Sequence, residues 1–506
     1  PGLLARGAWN LLAIRVYNQQ GKGGFLGRAP FLAGYYEECL LEGAWEFRTG
    51  DALAWAEAAR SEKPARAAFD TFVEATTPLE APAAFHRGPS LPPEEAFKAL
   101  RVAEDLQVDQ VLSEPEIAQP LQLSFDERGR LWVVEYRQYP FPAGIKVVSR
   151  DKFYRAVYDR VPPPPPRHVR GRDRISIHED SDGDGTFDRH TVFADGLNMA
   201  TAVARGRGGV WVLNPPYLLF YPDRDEDDRP DGDPVVHLEG FGLEDTHAVV
   251  NSLTWGPDGW LYGAQGSTVS SRVSRPGVAA EPVYAEGPAV WRYHPETRRY
   301  EIFAEGGGNA FGIEIDAQGR LYSGYNGGNT RGFHYLQGAY YTKGTEGKYG
   351  PLSNPYAFGH LSWMTHASPA PRFTHTLVKY EAEALPERYW GGLFCVDPLQ
   401  RNLVLAAVEP DGFTFKTRDL SVPLASEDPA FRPVDIKVGP DGALYVADFY
   451  EYYIAHGQHY QGQLDPGTGR ALLALTTAPA NDQKLYQTHP QWAADGVHVI
   501  FRSSDR

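Results

Sequence analysis

LTWGPDGWLYGAQ, residues 253–265, decides how this chain folds. Apolar and other residues alternate on both sides of Pro-Asp-Gly, whose glycine accepts the positive φ of a tight turn, so the stretch predicts a β-hairpin. The phrase returns, with substitutions, as LSFDERGRLWVVEY from Leu123, AVARGRGGVWVLN from Ala202, IEIDAQGRLYSGY from Ile313 and IKVGPDGALYVAD from Ile436. Its turn glycines, Gly129, Gly209, Gly259, Gly319 and Gly442, are spaced by 80, 50, 60 and 123 residues. The longest gap leaves room for one degenerate copy, assigned to GLFCVDPLQRNLVLAAV from Gly392. A single four-stranded blade cannot bury both of its faces, so six copies at blade spacing predict an all-β fold, a six-bladed β-propeller. Propellers carry their chemistry on loops at one end of a central channel.

The 506 residues are 42% hydrophobic, 13% aromatic and 23% charged, which supports a sizeable core and excludes wholesale disorder. With 52 Gly and 41 Pro against 2 Met, the composition fits a turn-rich β protein. The net charge of −16 argues against nucleic acid and anionic membrane surfaces as partners and suits cations and neutral sugars. Cys39 and Cys395 imply no disulfide framework and are expected to be buried thiols. No CxxCH motif occurs, so no haem is expected in this chain. No apolar run approaches the ~20 residues of a membrane span, and no signal peptide is recognisable. The first residues, PGLLARGAWNLLAIRVYN, read as the interior of a domain, so targeting or anchoring segments are expected outside this sequence.

Residues 1–60 are expected to be the end of a β-sandwich of galactose-binding type, and 61–105 a Pro/Ala-rich connector with a short helix over Pro93–Leu100. There Pro92-Pro93 opens the helix and Glu94-Glu95 complement its dipole. The propeller is expected over 106–475 and a tail, or the start of a second propeller, over 476–506. VPPPPPRHVRGR from Val161 predicts a polyproline II excursion between the first blade and the second.

Two loops have the carboxylate spacing of a calcium site. In EDSDGDGTFD, Asp180, Asp182, Asp184 and Asp188 take positions 1, 3, 5 and 9 of an EF-hand-like loop, with Gly185 at position 6. Thr191 stands where the bidentate Glu of position 12 would be, which points to a structural ion rather than a sensor. In DRDEDDRPDGD, Asp223, Asp225, Asp227 and Asp231 repeat the spacing, with Asp228 in place of the glycine, so this loop reads as the poorer site. Similar text follows both loops, HTVFADGLNM and PVVHLEGFGL, so they are expected to be equivalent outer hairpins of adjacent blades.

An ordered set of phrases resembles a known family. LPPEEAFKALRVAEDLQVDQVLSEPEIAQPLQLSFDERGRLWVVEYRQYP from Leu91, HEDSDGDGTFDRHTVFADGL, GFGLEDTHAVVNSLTWGPDGWLYGAQGS from Gly240 and FRPVDIKVGPDGALYVADFYEYYIAHG from Phe431 resemble the membrane-bound dehydrogenase propellers of planctomycetes and verrucomicrobia. Those are commonly joined to a CxxCH cytochrome domain and are in turn similar to soluble quinoprotein glucose and sorbosone dehydrogenases. The resemblance implies that a loop His takes a substrate proton while hydride passes to pyrroloquinoline quinone. On it, His247 matches the base, Asp245 is the candidate to orient it, and Asn309 matches the Asn of an R-N-P/A-x-G phrase. The preceding Arg of that phrase is Gly308 here, and no cationic cluster for the quinone's carboxylates is evident. From the residues themselves, Glu135, Tyr136 and Arg137 after LWVV, and Asp448 and Tyr450 after LYVA, are candidates for substrate binding at the strand ends. NLLAIRVYNQQGKGGFLGRAP from Asn10 resembles the last strands of the sandwich of family 2 glycoside hydrolases, and LYQTHPQWAADGVHVIFRSSDR from Leu485 resembles a TolB-type blade.

The leading expectation is an extracytoplasmic (periplasmic or extracellular, in some form membrane-anchored) sugar oxidoreductase passing electrons to a quinone or cytochrome partner. A glycan-binding scaffold is the alternative, and a polysaccharide lyase or hydrolase using the same face, with a His or Tyr base and a calcium or carboxylate partner, is the third; His360 and His366, on a long loop after the fourth blade, are a weak metal signal at the channel mouth.

Overall fold

The computed structural model describes residues 91–151, 155–309, 311–343, 352–353, 357–367, 370–371, 374–452 and 454, with the backbone of short strands at 31–33, 38–40, 482–483 and 502–503. The chain divides into two compact units, residues 1–87 with 473–506, and residues 88–472. In the first, β1 (Phe31–Ala33) and β2 (Glu38–Leu40) form one antiparallel pair. The sandwich and second-propeller expectations otherwise lie outside the described residues, as does the side chain of Cys39.

The second unit opens with α1 (Pro93–Lys98), Pro at its first position, Glu94 and Glu95 in its first turn and Lys98 in its last. Residues expected to be connector then become β3 (Leu100–Val102), which pairs with a strand more than three hundred residues away. The first sheet has the order β4 (Pro120–Phe125), β5 (Leu131–Glu135), β8 (Asp173–Glu179), β9 (Arg189–Leu197). Between β5 and β8 stands a separate hairpin, β6 (Val147–Arg150) with β7 (Ala156–Tyr158). The proline run from Val161 follows β7, so it lies inside the first sheet's chain path and not between the first and second sheets. Pro162 is held there by the Tyr217 hydroxyl, which donates to its carbonyl at 2.7 Å.

The second sheet is β10 (Ala202–Arg205), β11 (Gly209–Asn214), β12 (Tyr217–Pro222), β13 (Val235–Glu239). The third is β14 (Asn251–Trp255), β15 (Leu261–Gln265), β18 (Ala289–His294), β19 (Arg299–Glu305), with the hairpin β16 (Ser270–Val273) and β17 (Val283–Glu286) inserted as in the first. A three-stranded sheet follows, β20 (Glu314–Ile315), β21 (Leu321–Ser323) and β22 (Phe333–Tyr335). Next, β23 (Ala339–Tyr341) and β24 (Gly359–Leu361) add in parallel beyond β19, and β25 (Thr365–His366) adds to the fifth sheet. That sheet is β26 (Leu377–Lys379), β27 (Leu393–Asp397), β28 (Asn402–Asp411), β29 (Thr414–Ser426), and β25 and β3 cover the edge of β29. The last pair is β30 (Pro433–Val438) with β31 (Leu444–Asp448).

Four sheets therefore carry the four antiparallel strands of a complete propeller blade, and the arrangement is propeller-like. Strands such as β5 are buried on both faces, because alternate side chains enter different cores. Trp132 and Val134 pack with Val203, Val210 and Val212 of the second sheet, while Leu131 and Val133 pack with Val434 and Ala447 of the last. Further cores join the second and third sheets around Trp211 and Trp291, the third and fourth around Tyr262 and Phe333, the fourth and fifth around Tyr322 and Cys395, and the fifth and last around Phe394 and Ile436. Burying each such large side chain contributes about 1.5–3 kcal/mol.

The repeated turn phrase forms as expected, and its aspartate closes it. Asp126 Oδ1 accepts the N–H groups of Arg128 and Arg130, and Asp316 Oδ1 those of Gln318 and Arg320, around Gly129 and Gly319 at φ 79° and 75°. Two copies differ from expectation. In the second sheet the positive φ falls on Arg207 and Gly208, and Gly209 already belongs to β11. In the fifth, GLFCVDPLQRNLVLAAV spans β27 and β28, one hairpin later than the matching pair β26–β27, whose connection is a longer loop with a 3-10 turn at Glu387–Tyr389.

Candidate functional site

Strand register divides the loops between two ends. Pro120 pairs with Glu135 and Glu135 with Arg174, so the start of β4, the end of β5 and the start of β8 share one end, here the mouth. The turn at Asp126–Arg130 and the loop at 180–188 share the other. All the candidate catalytic and substrate residues fall at the mouth end, and both acidic loops at the turn end. The acidic loops are thus the outer hairpins of consecutive sheets, β8–β9 and β12–β13, as their flanking sequences suggested.

At the mouth, the segment before β14 is pinned by its neighbours. Asp245 is buried, accepts the His247 backbone N–H at 3.1 Å and accepts the Thr268 hydroxyl, so it fixes the main chain that carries the histidine. Asn309 donates from Nδ2 to the His247 carbonyl at 3.1 Å and accepts the Ser267 N–H at 3.0 Å. Its own N–H goes to Asn326. Asn309 thus staples three loops together. The His247 side chain is half-buried between these fixed points.

The other candidates are placed less openly than their strand-end positions suggested. Tyr136 is 1% exposed, and its hydroxyl donates to the Thr246 carbonyl at 3.3 Å, so it supports the His247 loop from beneath. Burial, then the charge of Asp173, pushes its hydroxyl well above the usual phenol range. Glu135 is buried, accepts the Ala118 N–H at 3.0 Å, and is raised by burial against the pull of Arg174. Arg137, more open, lies 3.8 Å from Glu135. Asp448 accepts the N–H groups of Arg432 and Tyr450, and burial lifts it to about 7 against those bonds. Tyr450 binds Asp428 through its hydroxyl at 2.9 Å and accepts the Leu91 N–H. Asp448 and Tyr450 form a second group, on the last pair of strands.

Sequence reasoning missed Asp173, Thr246, Thr268 and Asn326. Asp173 is fully buried, accepts the amides of Gln138 and Ala200, and is pushed up to about 8 by burial. Its partners lie 35 and 27 residues away, so no local pattern announces it. His360 and His366 have separate partners: His360 contacts the Thr342 hydroxyl and His366 the Thr417 hydroxyl.

Below the mouth the first strands pack closely. The first strands of neighbouring sheets are tied to one another by Leu123 N–H to Asp435 at 2.7 Å, Val203 N–H to Gln122 at 2.9 Å and Gly312 N–H to Ser252 at 2.7 Å. The cavity among these strands is about 10 Å³, room for one water at most. A flat tricyclic group does not fit there. Of the described cations near the mouth, Arg174 lies 3.9 Å from Glu135, Arg432 donates to the carbonyls of Phe431 and Tyr452, and the more open Arg137 lies 3.8 Å from Glu135. Three carboxylates need cationic partners, and the described mouth residues supply acids such as Glu135, Asp245 and Asp448 instead of a cationic cluster, so they do not fit pyrroloquinoline quinone.

At the turn end, ligand oxygens of Asp180, Asp182 and Asp184 lie within 4.8 Å of one another, as do those of Asp223, Asp225 and Asp227. Asp188 and Asp231 do not join these groups but fasten their loops, accepting the N–H of Ser181 at 2.8 Å and of Arg224 at 3.0 Å. Hydrogen bonding to Ser181 lowers the pKa of Asp188.

A family model described as a domain of unknown function, DUF7133, matches residues 92–490. No curated protein matches the sequence. Among solved structures, the chain is similar to the PQQ-bound aldose sugar dehydrogenase of Streptomyces coelicolor, at 12% identity over 69% of this chain and 91% of that one, with a TM-score of 0.40. It is similar to the soluble aldose sugar dehydrogenase of Escherichia coli in its apo-form, at 14% identity over 70% and 96%, TM-score 0.37. It is also similar to the Malassezia sympodialis allergen Mala s 1, at 12% identity over 67% and 90%, TM-score 0.35.

Proposed function

The chain belongs to the DUF7133 family, and from that premise we propose that it is a carbohydrate-active oxidoreductase, a six-bladed propeller whose reaction takes place at the mouth. The three-stranded sheet and the β30–β31 pair are then the fourth and sixth blades. His247 takes the proton of a sugar hydroxyl, a task for which an imidazole is suited near neutrality. As that O–H bond and the adjacent C–H bond break, a carbonyl forms and two electrons leave with the carbon-bound hydrogen to an acceptor carried by a redox partner, a quinone or cytochrome protein. Arg137 and Asp448 are the groups that meet the sugar's other hydroxyls. This reading puts the protein outside the cytoplasm, in the manner of the membrane-bound dehydrogenase propellers its phrases resemble.

The observation that carries the reading is the double pinning of His247: Asp245 holds its N–H and Asn309 its carbonyl, while the ring stays half-buried at the mouth. Such preorganisation is what a base needs to meet a hydroxyl at a fixed angle. The test is dye-linked oxidation of a sugar panel, with and without added quinone. Wild type is expected to reduce the dye with at least one sugar, and His247→Ala to lower kcat by roughly 10²–10⁴-fold while sugar affinity holds. Dye reduction by no sugar under any condition removes the oxidoreductase reading.

A second reading, glycan binding without chemistry, is favoured by the narrow channel and by the structural use of Asn309, Asp245 and Tyr136. A sugar-dependent rise in melting temperature without dye reduction selects it.

A further inference from the structure

We propose that the loop at residues 223–231 binds one hard divalent cation of the calcium class through Asp223, Asp225 and Asp227, and that it does so more tightly than the loop at 180–188. This inverts the order that the loop sequences suggest, and it does not depend on the chemistry proposed for the mouth.

The first ligand position decides the order. Asp180 is already satisfied: its carboxylate accepts the N–H groups of Gly183, Asp184 and Gly185 at 2.7, 3.2 and 2.8 Å. Asp223, at the same place in the second loop, is 1% exposed, and both of its oxygens are buried without a hydrogen-bond partner. A buried carboxylate in that state is costly unless a positive charge meets it. Its oxygens point into a cluster whose other members, Asp225 and Asp227, are exposed and open a path from solvent. The pKa of Asp223 is raised, by burial first, while Arg205 and the nearby Asp227 backbone N–H oppose and the charges of Asp228 and Asp227 add repulsion.

The neighbouring acids do not compete for the ion, because arginines hold them. Asp228 takes both guanidinium nitrogens of Arg130 at 2.6 and 2.9 Å, Glu226 takes Arg128 at 2.6 Å, and Asp231 fastens Arg224. Three carboxylates are left to face one point, and a hard cation wants oxygen ligands, with water completing the shell. Arg128 and Arg130 belong to the β4–β5 turn of the first sheet. A cation in this loop therefore braces the junction of two sheets at the end away from the mouth.

The test uses the full chain, stripped with EDTA and titrated with calcium by calorimetry, with melting temperature followed in parallel. One equivalent is expected to bind first, and saturating calcium to raise the melting temperature by roughly 2–5 °C. Asp223→Asn is expected to weaken that equivalent at least about tenfold. Asp225→Asn, at an exposed position that folding tolerates, is expected to weaken it likewise. Asp180→Asn leaves it unchanged; a weaker second equivalent that disappears with Asp180→Asn also fits. No binding at about 10 mM calcium overturns the proposal. So do two equivalents of equal affinity, or a first equivalent lost with Asp180→Asn and kept with Asp225→Asn.

Discussion

The loop at 180–188 joins β8 to β9 and the loop at 223–231 joins β12 to β13, each closing the outer hairpin of its sheet. Their backbones agree closely: φ is +79° and +89° at Gly183 and Gly185, and +58° and +68° at the matching positions, Glu226 and Asp228. In the first loop glycine adopts this left-handed conformation at no steric cost, and the freed amides turn onto Asp180. In the second, acidic side chains are held there by Arg128 and Arg130, and no amide closes on Asp223 at hydrogen-bond geometry, the Asp227 N–H only lying nearby. Spacing alone made the glycine loop look the better cation site. The difference teaches that the count of carboxylates matters less than how many are already satisfied by the chain itself.

The largest break in this comparison should come at Asp228. Asp228→Ala removes the bidentate partner of Arg130, whose side chain is 4% exposed, and leaves alanine at a positive φ. Together these are expected to cost about 3–4 kcal/mol in urea denaturation. Gly185→Ala, at the matching position, meets nothing within 4 Å and should lose only the backbone contribution, about 1 kcal/mol. Equal losses would mean that the Arg130 clamp is idle.

Acid should separate the two hairpins next. At the base of the first, His178 is buried against His190 at 2.9 Å and the Ser176 hydroxyl at 2.9 Å, and burial, aided by His190, pushes it down to about 4. The matching residue of the second hairpin is Tyr221, raised by burial and without charge in this range. A histidine lowered in the folded state contributes stability that is complete above about pH 6.5 and disappears as pH falls from there toward 4. The full shift corresponds to about 3 kcal/mol, of which roughly 2 should be visible by pH 5. His178→Gln should flatten the melting temperature between pH 7 and 5. An unchanged slope would place the acid sensitivity elsewhere.

The legible and illegible parts of the molecule follow the same physics. Hairpins were readable because Asp126, Asp316 and their glycines act within five residues of one another. The fifth sheet was misphased because its β26–β27 connection has no Asp-x-x-Gly turn, so the next hairpin resembled the repeat more closely. The mouth positions of His247, Asp245, Glu135 and Asp448 followed from strand ends. Their partners did not: Asn309 reaches His247 across 62 residues, and Asp173 ties segments on either side of it. Nor could spacing reveal that Tyr136 lies under the His247 loop rather than beside a ligand.

The smallest effect is also the sharpest, because it differs in sign. Without divalent cation, Asp223→Asn exchanges a dry, unpartnered carboxylate for a neutral amide of nearly the same shape, so it should stabilise the fold by about 1 kcal/mol. Asp180→Asn weakens three amide bonds to a charged acceptor and should destabilise by about 1 kcal/mol. Denaturation in EDTA measures both, and adding calcium should erase the advantage of Asp223→Asn because only wild type then gains a ligand. A destabilising Asp223→Asn in EDTA would show that its carboxylate already has a partner in the folded protein. The two loops would then differ only in backbone chemistry, with no difference in their appetite for a cation.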